Sequence, residues 1–170
     1  MSLRDLRRHA GQLLIAGFHG TTLPVELRAL AREFDLGGVV LFARNVESPA
    51  QVAELAFEAR ALGLEQPAWV SVDQEGGRVA RLKRPFTEWP PMRTLGRTDG
   101  VELAGRFATA MARELRAVGV TMDFAPVLDV LTNPKNTVIG DRAISTDSAT
   151  VGTLAAAFVQ AFQAEGVAAC

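Results

Sequence analysis

The chain has 170 residues, 48% of them apolar and 22% charged, a globular balance that excludes a disordered segment. Its 18 Lys and Arg against 19 Asp and Glu leave a net charge of −1, which gives no footprint for nucleic acid or an anionic membrane. A single cysteine, Cys170, excludes an intrachain disulfide and a cysteine-based zinc site. No apolar run approaches the roughly 18 residues of a transmembrane helix. Arg4 to Phe18 places arginines before Leu13-Leu14-Ile15, but Gln12 breaks the apolar stretch and no small-x-small cleavage site follows. It is read as part of the mature fold.

Leu13 to Phe18 is the first buried-strand candidate. Pro24 to Glu33 follows as a helix, with Pro24 suited to its first turn and Val25, Leu27 and Leu30 as apolar positions. Gly38 to Phe42 is the second strand candidate. Ser48-Pro49-Ala50-Gln51 reads as a helix start, with Ser48 as cap and Gln51 placed to close a capping box. Val52, Leu55, Ala56, Ala59 and Leu62 give that helix one apolar face. Ala68 to Val72 is the third strand, with Trp69 expected in the core.

A long loop runs from Asp73 to about Thr98. The clearest helix spans about Val101 to Val118, with Leu103, Phe107, Met111, Leu115 and Val118 on one face and Gly119 ending it. Val120 to Phe124 is the fourth strand, and Ala125 to Thr146 a second long loop. A last helix covers about Ser148 to Glu165, and Val167 to Cys170 begins a fifth strand. Strands that are apolar throughout are covered on both faces, as in parallel sheets. Strands alternating with helices mean repeated βα units in an α/β fold. In such folds ligands bind at the C-terminal strand ends, so the two long loops are the functional candidates. The pattern does not separate an open sheet from a partial barrel.

The densest chemistry lies in Val72-Asp73-Gln74-Glu75-Gly76-Gly77-Arg78-Val79-Ala80-Arg81. Asp73 ends a buried strand, two glycines permit a sharp turn, and Arg78 and Arg81 supply planar donor forks. A saccharide suits this mix, because its hydroxyls both donate and accept. The plain alternative is a solvated turn with Asp73 capping a helix and the arginines on the surface. The second cluster is Val138-Ile139-Gly140-Asp141-Arg142-Ala143. Alone, Asp141 and Arg142 read as a surface pair worth little; beside the first loop they form a second wall. Asp123 and Asp129 are read as carboxylates that hold loops. His9 and His19 have no partner pattern, and Trp89-Pro90-Pro91 reads as a stiff packing loop. Neither a metal motif nor a phosphate-binding glycine loop is present, so no metal or cofactor is expected.

Gly11-Gln12-Leu13-Leu14, Gly37 to Val46, Val72 to Val79 and Val138 to Arg142 together resemble the bacterial β-N-acetylhexosaminidases of glycoside hydrolase family 3. The resemblance implies the first half of a (β/α)8 TIM-type barrel, residues 1–170 being an N-terminal portion of one barrel domain. It implies a retaining exo-glycosidase acting on terminal non-reducing β-linked N-acetylglucosamine. By motif, Asp73, Arg81 and Arg142 resemble the residues that bind the terminal sugar, with Glu75 and Arg78 in support. The family continues with a Lys-His-Phe-Pro-Gly-His-Gly type segment, an Asp-Ser-His acid/base loop and an Asp nucleophile. None of these is present, so no catalytic residue is assigned, and Asp73 and Glu75 are rejected as that pair. The chain is therefore expected to be truncated just after Cys170 and inactive alone. About 250 residues are needed for a complete barrel. β-Glucosidase or β-xylosidase specificity, a non-catalytic sugar-binding module and a nucleotide-binding domain are the rivals. The expected partner is a small saccharide, including muropeptide fragments, in the cytoplasm, with no nucleic acid and no membrane.

Overall fold

The computed structural model describes residues 2–98 and 100–170. The chain forms two compact units, Met1–Val72 with Ala117–Met122, and Asp73–Arg116 with Asp123–Cys170.

The first unit opens on a helix that the sequence reading did not anticipate, α1 (Leu3–Gly11). Ser2 caps it through a reciprocal box: Asp5 N–H donates to Ser2 Oγ, and Ser2 N–H donates to the Asp5 carboxylate. Strand β1 (Ile15–Gly17) is shorter than the apolar run it sits in. Leu13 and Leu14 are 85% and 56% exposed, so they are a turn after α1 and not buried strand. Helix α2 (Val25–Phe34) buries Leu27 and Ala31 but exposes Val25 and Leu30. Strand β2 (Gly38–Leu41), helix α3 (Pro49–Arg60) and strand β3 (Trp69–Val72) complete the unit's βα order. β2 runs parallel to both β1 and β3, with Gly38 opposite Ile15 on one side and Trp69 on the other. Thr121 then lies beside β3, its N–H donating to Val70 O at 2.9 Å and its Oγ1 accepting from Val70 N–H. The parallel strands alternating with helices are those expected of an α/β fold.

Trp69 departs from expectation, at 44% exposed. Its backbone is committed to β2, but it is the first residue of its strand and its ring reaches solvent. Gly38 is needed there for space: a Cβ on it would lie 2.6 Å from Trp69 O. The Arg44-Asn45 pair braces a turn within this unit. Asn45 is wholly buried, donates to Phe18 O and Gly20 O, and accepts from Phe42 N–H. Arg44 donates to Phe18 O and lies over the Phe42 ring at 4.3 Å.

The second unit starts with a hairpin inside the predicted first loop. Strands β4 (Gln74–Gly76) and β5 (Val79–Ala80) pair antiparallel, with a register shift between Gln74 and Gly76. The short helix α4 (Arg93–Gly96) follows. Helix α5 (Val101–Ala117) buries Phe107, Ala108, Met111 and Leu115, while Leu103 is exposed. Strand β6 (Met122–Asp123) carries the chain from one unit to the other. Helix α6 (Ser148–Ala164) is capped by Asp147, which accepts from Thr150 N–H, and strand β7 (Ala168–Ala169) closes the chain. Cys170 N–H donates to Asp123 O, placing β7 beside the end of β6. The core of this unit is aromatic: Phe158 stacks on Phe162 at 4.6 Å, and Trp89 meets Phe107 edge-on at 4.9 Å.

At α3 the sequence signal and the structure agree in part. Ser48 Oγ accepts from Gln51 N–H, and Pro49 occupies the first turn. The box does not close on Ser48, because Gln51 Oε1 accepts from Glu47 N–H and its Nε2 donates to Thr21 O and Asn45 O. Among the described residues the Ser48 hydroxyl is thus the one side chain capping that helix start. Ser48→Ala is expected to lower stability by about 1 kcal/mol and Ser48→Gly by a few tenths. Urea unfolding of the two variants checks this; equal losses would mean the hydroxyl cap is not what holds α3.

Candidate functional site

Asp73, Glu75, Arg78, Arg81 and Arg142 all fall in the second unit. Gly76 and Gly77 place them by making the chain turn back, with φ of +92° and +58°, which other residues adopt at a cost. A Cβ on Gly76 would collide with Pro90 O, and one on Gly77 would meet Pro91 Cβ at 2.8 Å. The segment behind the turn is fixed in its own right. Gly77 N–H donates to Trp89 O, and Glu114 on α5 accepts from Thr87 and from Trp89 Nε1. Trp89 therefore belongs to a packed brace, as the stiff-loop reading expected.

The arginines and carboxylates sort into pairs that sequence adjacency conceals. Arg81 Nη2 donates to Asp73 Oδ2 at 2.8 Å. Arg142 grips Glu75 with two bonds of 2.8 Å, from Nε to Oε2 and from Nη2 to Oε1. Arg78 donates to Asp141 Oδ1 at 3.2 Å and, through Nη2, to the carbonyls of Thr137, Val138 and Ile139. Asp141 and Arg142 are thus not a pair with each other. Each ties the second loop, at its 3₁₀ turn Gly140–Arg142, to the first. The bond to Glu75 pushes the Arg142 pKa up from its already high value.

The two carboxylates differ in what they have to spare. Glu75 is only 3% exposed and both its oxygens are occupied by Arg142. Asp73 is partly exposed, and among the described residues its Oδ1 accepts no hydrogen bond. Arg81 has spare capacity too, since its side chain is partly exposed and, among the described residues, its Nη1 makes no hydrogen bond. An open carboxylate oxygen beside a guanidinium with unused donors can take a hydroxyl pair on a ring.

Two residues beneath this pair were not given a site role by the sequence. Gln74 is buried, and its amide bonds to the backbone of Arg81 and Leu82. Asp123 is wholly buried; Oδ1 accepts from Gln74 N–H at 2.8 Å, and Oδ2 has no partner among the described residues. The expectation that Asp123 holds a loop fits this bond. Asp129 is exposed and accepts no side-chain hydrogen bond among the described residues. Burial pushes the Asp123 carboxyl well above the ordinary carboxylate range. The Asp73 and Glu75 carboxylates act in the same direction, and the N–H groups of Gln74 and Phe124 oppose it. Among the described residues no group of three or more His, Cys, Asp or Glu could hold a metal ion. No helix among them is long and apolar enough to cross a membrane.

Comparison with known proteins places this geometry in a family. The profile of the glycosyl hydrolase family 3 N-terminal domain matches residues 5–170. The chain belongs to glycosyl hydrolase family 3. It is 41% identical over 157 residues to a β-hexosaminidase of Pseudomonas aeruginosa, covering 92% of this chain and 46% of that protein. It is 43% identical over 162 residues to a β-hexosaminidase of Nitrosomonas eutropha, with the same two coverages of 92% and 46%. Among solved structures it resembles a family 3 β-N-acetylglucosaminidase from Paenibacillus sp., with a TM-score of 0.91 and 39% identity over 99% of this chain and 32% of that one. It also resembles NagZ from Neisseria gonorrhoeae, with a TM-score of 0.84 and 31% identity over 92% of this chain and 47% of that one. The chain thus spans about half the length of the curated relatives it matches.

The raised Asp123 value has a consequence for this family 3 chain that can be measured. A carboxyl whose folded pKa lies above its unfolded value contributes fully below the unfolded value, near 3.8. That contribution is lost as pH rises toward the folded value, because the unfolded chain releases its proton first. Asp123→Asn removes the proton equilibrium and keeps an acceptor for Gln74. The variant is expected to gain stability relative to the parent as pH rises from about 4 to neutrality. Paired urea titrations at several pH values check this; a difference independent of pH would contradict the assignment.

Proposed function

We propose that this chain supplies the terminal-sugar subsite of a retaining β-N-acetylhexosaminidase that removes non-reducing β-linked N-acetylglucosamine. The observation that carries the reading is the open Asp73–Arg81 pair, standing beside a closed Glu75–Arg142 pair that joins the two loops. Asp73 takes hydroxyls of the sugar and Arg81 donates to its oxygens. Arg142, held by Glu75, lines the same subsite with its partly exposed edge, and Arg78 braces the loop that carries it.

A retaining glycosidase needs a nucleophile and an acid/base group about 5 Å apart. Glu75 cannot attack, because both oxygens are bonded and it is shut from solvent. Asp123 is wholly buried as well. Asp73 is engaged with Arg81. These commitments support assigning Asp73, Arg81 and Arg142 to binding, with Glu75 and Arg78 in support, and placing the reacting groups elsewhere in the protein. The relatives' names favour hexosaminidase over β-glucosidase or β-xylosidase specificity. One of them, the Neisseria NagZ, has been solved with N-trifluoroacetyl-D-glucosamine. We extend the proposal to a barrel-type domain of which this chain is the N-terminal portion, and to muropeptide fragments in the cytoplasm as the setting.

The test uses protein expressed from its complete reading frame and p-nitrophenyl N-acetyl-β-D-glucosaminide. Asp73→Ala is expected to lower kcat/KM at least about tenfold, the loss of one charge-assisted hydrogen bond, with little change in melting temperature. A wild-type rate in that variant would leave Asp73 a structural residue. Faster hydrolysis of the corresponding glucoside by the parent protein would move the specificity to the β-glucosidase branch.

A further inference from the structure

Gln74 and Asp123 carry no reactive role, yet the hydrogen bonds of the first loop converge on them. The Gln74 amide Oε1 accepts from Arg81 N–H at 2.9 Å and from Leu82 N–H at 3.0 Å, and its Nε2 donates to Leu82 O at 2.9 Å. Its own N–H, on the peptide that follows Asp73, donates to Asp123 Oδ1 at 2.8 Å. Arg81 closes the circuit by donating to Asp73 Oδ2 at 2.8 Å. Asp73 and Arg81 are eight residues apart across a hairpin, and this circuit fixes one against the other.

We infer that Gln74 and Asp123 are positioning residues that set the Asp73–Arg81 fork for its saccharide. The inference rests on the reading that this fork takes a sugar. Both residues are buried beneath the fork, so they act through it. A fork that must meet two ring oxygens tolerates little displacement, since a misplacement of about 1 Å can cost about a hundredfold in rate. The chemistry of Asp123 suits the task only as an acceptor. The Asp73 and Glu75 carboxylates disfavour a charge on it, and its one hydrogen bond among the described residues comes from the neutral N–H of Gln74. Within the circuit it is the Gln74 N–H that Asp123 holds, while the cations Arg81 and Arg142 are taken by Asp73 and Glu75. An uncharged carboxyl or carboxamide meets the requirement; a third carboxylate there works against the other two.

The experiment measures KM and kcat for p-nitrophenyl N-acetyl-β-D-glucosaminide in protein from the complete reading frame, across pH. Asp123→Asn is expected to keep KM within about threefold of the parent, and Asp123→Ala and Gln74→Asn to raise it about tenfold or more. Partial unfolding lowers the active fraction and hence the apparent kcat but leaves KM alone, so the KM change separates positioning from mere stability. As rising pH takes the proton from Asp123, the parent's KM is expected to rise while that of Asp123→Asn stays flat. Should Asp123→Ala fail to fold, Asp123→Asn and Gln74→Asn still decide the matter. An unchanged KM in Gln74→Asn, or a tenfold rise in Asp123→Asn, overturns the inference. A parent protein that hydrolyses no such glycoside refutes the sugar reading instead. In that event a crystal structure of Gln74→Asn reads the fork without substrate: a lengthened Asp73–Arg81 contact supports the positioning role, and an unchanged one overturns it.

Discussion

Glu75 holds its carboxylate almost entirely out of water, and the arrangement of the candidate site follows from the need to pair that charge. A lone buried carboxylate costs several kcal/mol, and removing one partner of a buried pair typically costs about 3–5 kcal/mol. Arg142 meets the need with two short, parallel bonds, from a position 67 residues further along the chain. That single contact obliges the second loop to lie against the first. Arg78 reinforces it from the opposite direction by holding the carbonyls that precede the Gly140 turn. The same geometry explains why Glu75 is unavailable for chemistry while Asp73, two residues away, is open.

The arrangement assigns separate tasks to neighbouring residues of one motif. Asp73 follows the last residue of a parallel strand, where side chains leave the core and meet ligand. Gln74 turns inward and bonds to backbone, Glu75 is sealed against Arg142, and the glycines return the chain. On the proposed reading, these separate tasks together hold a sugar. Two opposite-charge pairs side by side fit a ligand with many hydroxyls and no net charge better than an anion, because neither pair presents an unbalanced field. This is also why the near-neutral composition of the chain is compatible with a charged site.

Much of the scaffold was legible because local signals and tertiary packing agree there. The apolar faces of α3 and α5 recur at helical spacing, and Ser48 caps α3 by the local rule. Legibility ended where an apolar residue does not meet the core. Leu13, Leu14 and Trp69 sit in runs that resemble buried strand, yet they lie at a turn or a strand start. A run of apolar letters carries no information about which of its members a neighbouring element covers. In the site, the motif residues could be named but not their partners. Asp141 and Arg142 are adjacent in sequence, yet each pairs with a residue from the first loop. Gln74 was silent because a neutral amide has no charge pattern to betray it, and only the fold shows that its side chain bonds to the backbone of Arg81 and Leu82.

The central claim is that Asp73 and Arg81 receive the terminal sugar while Glu75 and Arg142 stay paired behind them. A crystal structure of the complete protein with N-acetylglucosamine bound tests it directly. The account predicts the ring hydroxyls within hydrogen-bond distance of Asp73 Oδ1 and of Arg81, with the bidentate Glu75–Arg142 contact unchanged. A sugar bound away from Asp73, or one that draws Glu75 off Arg142 to contact the ring itself, would contradict it.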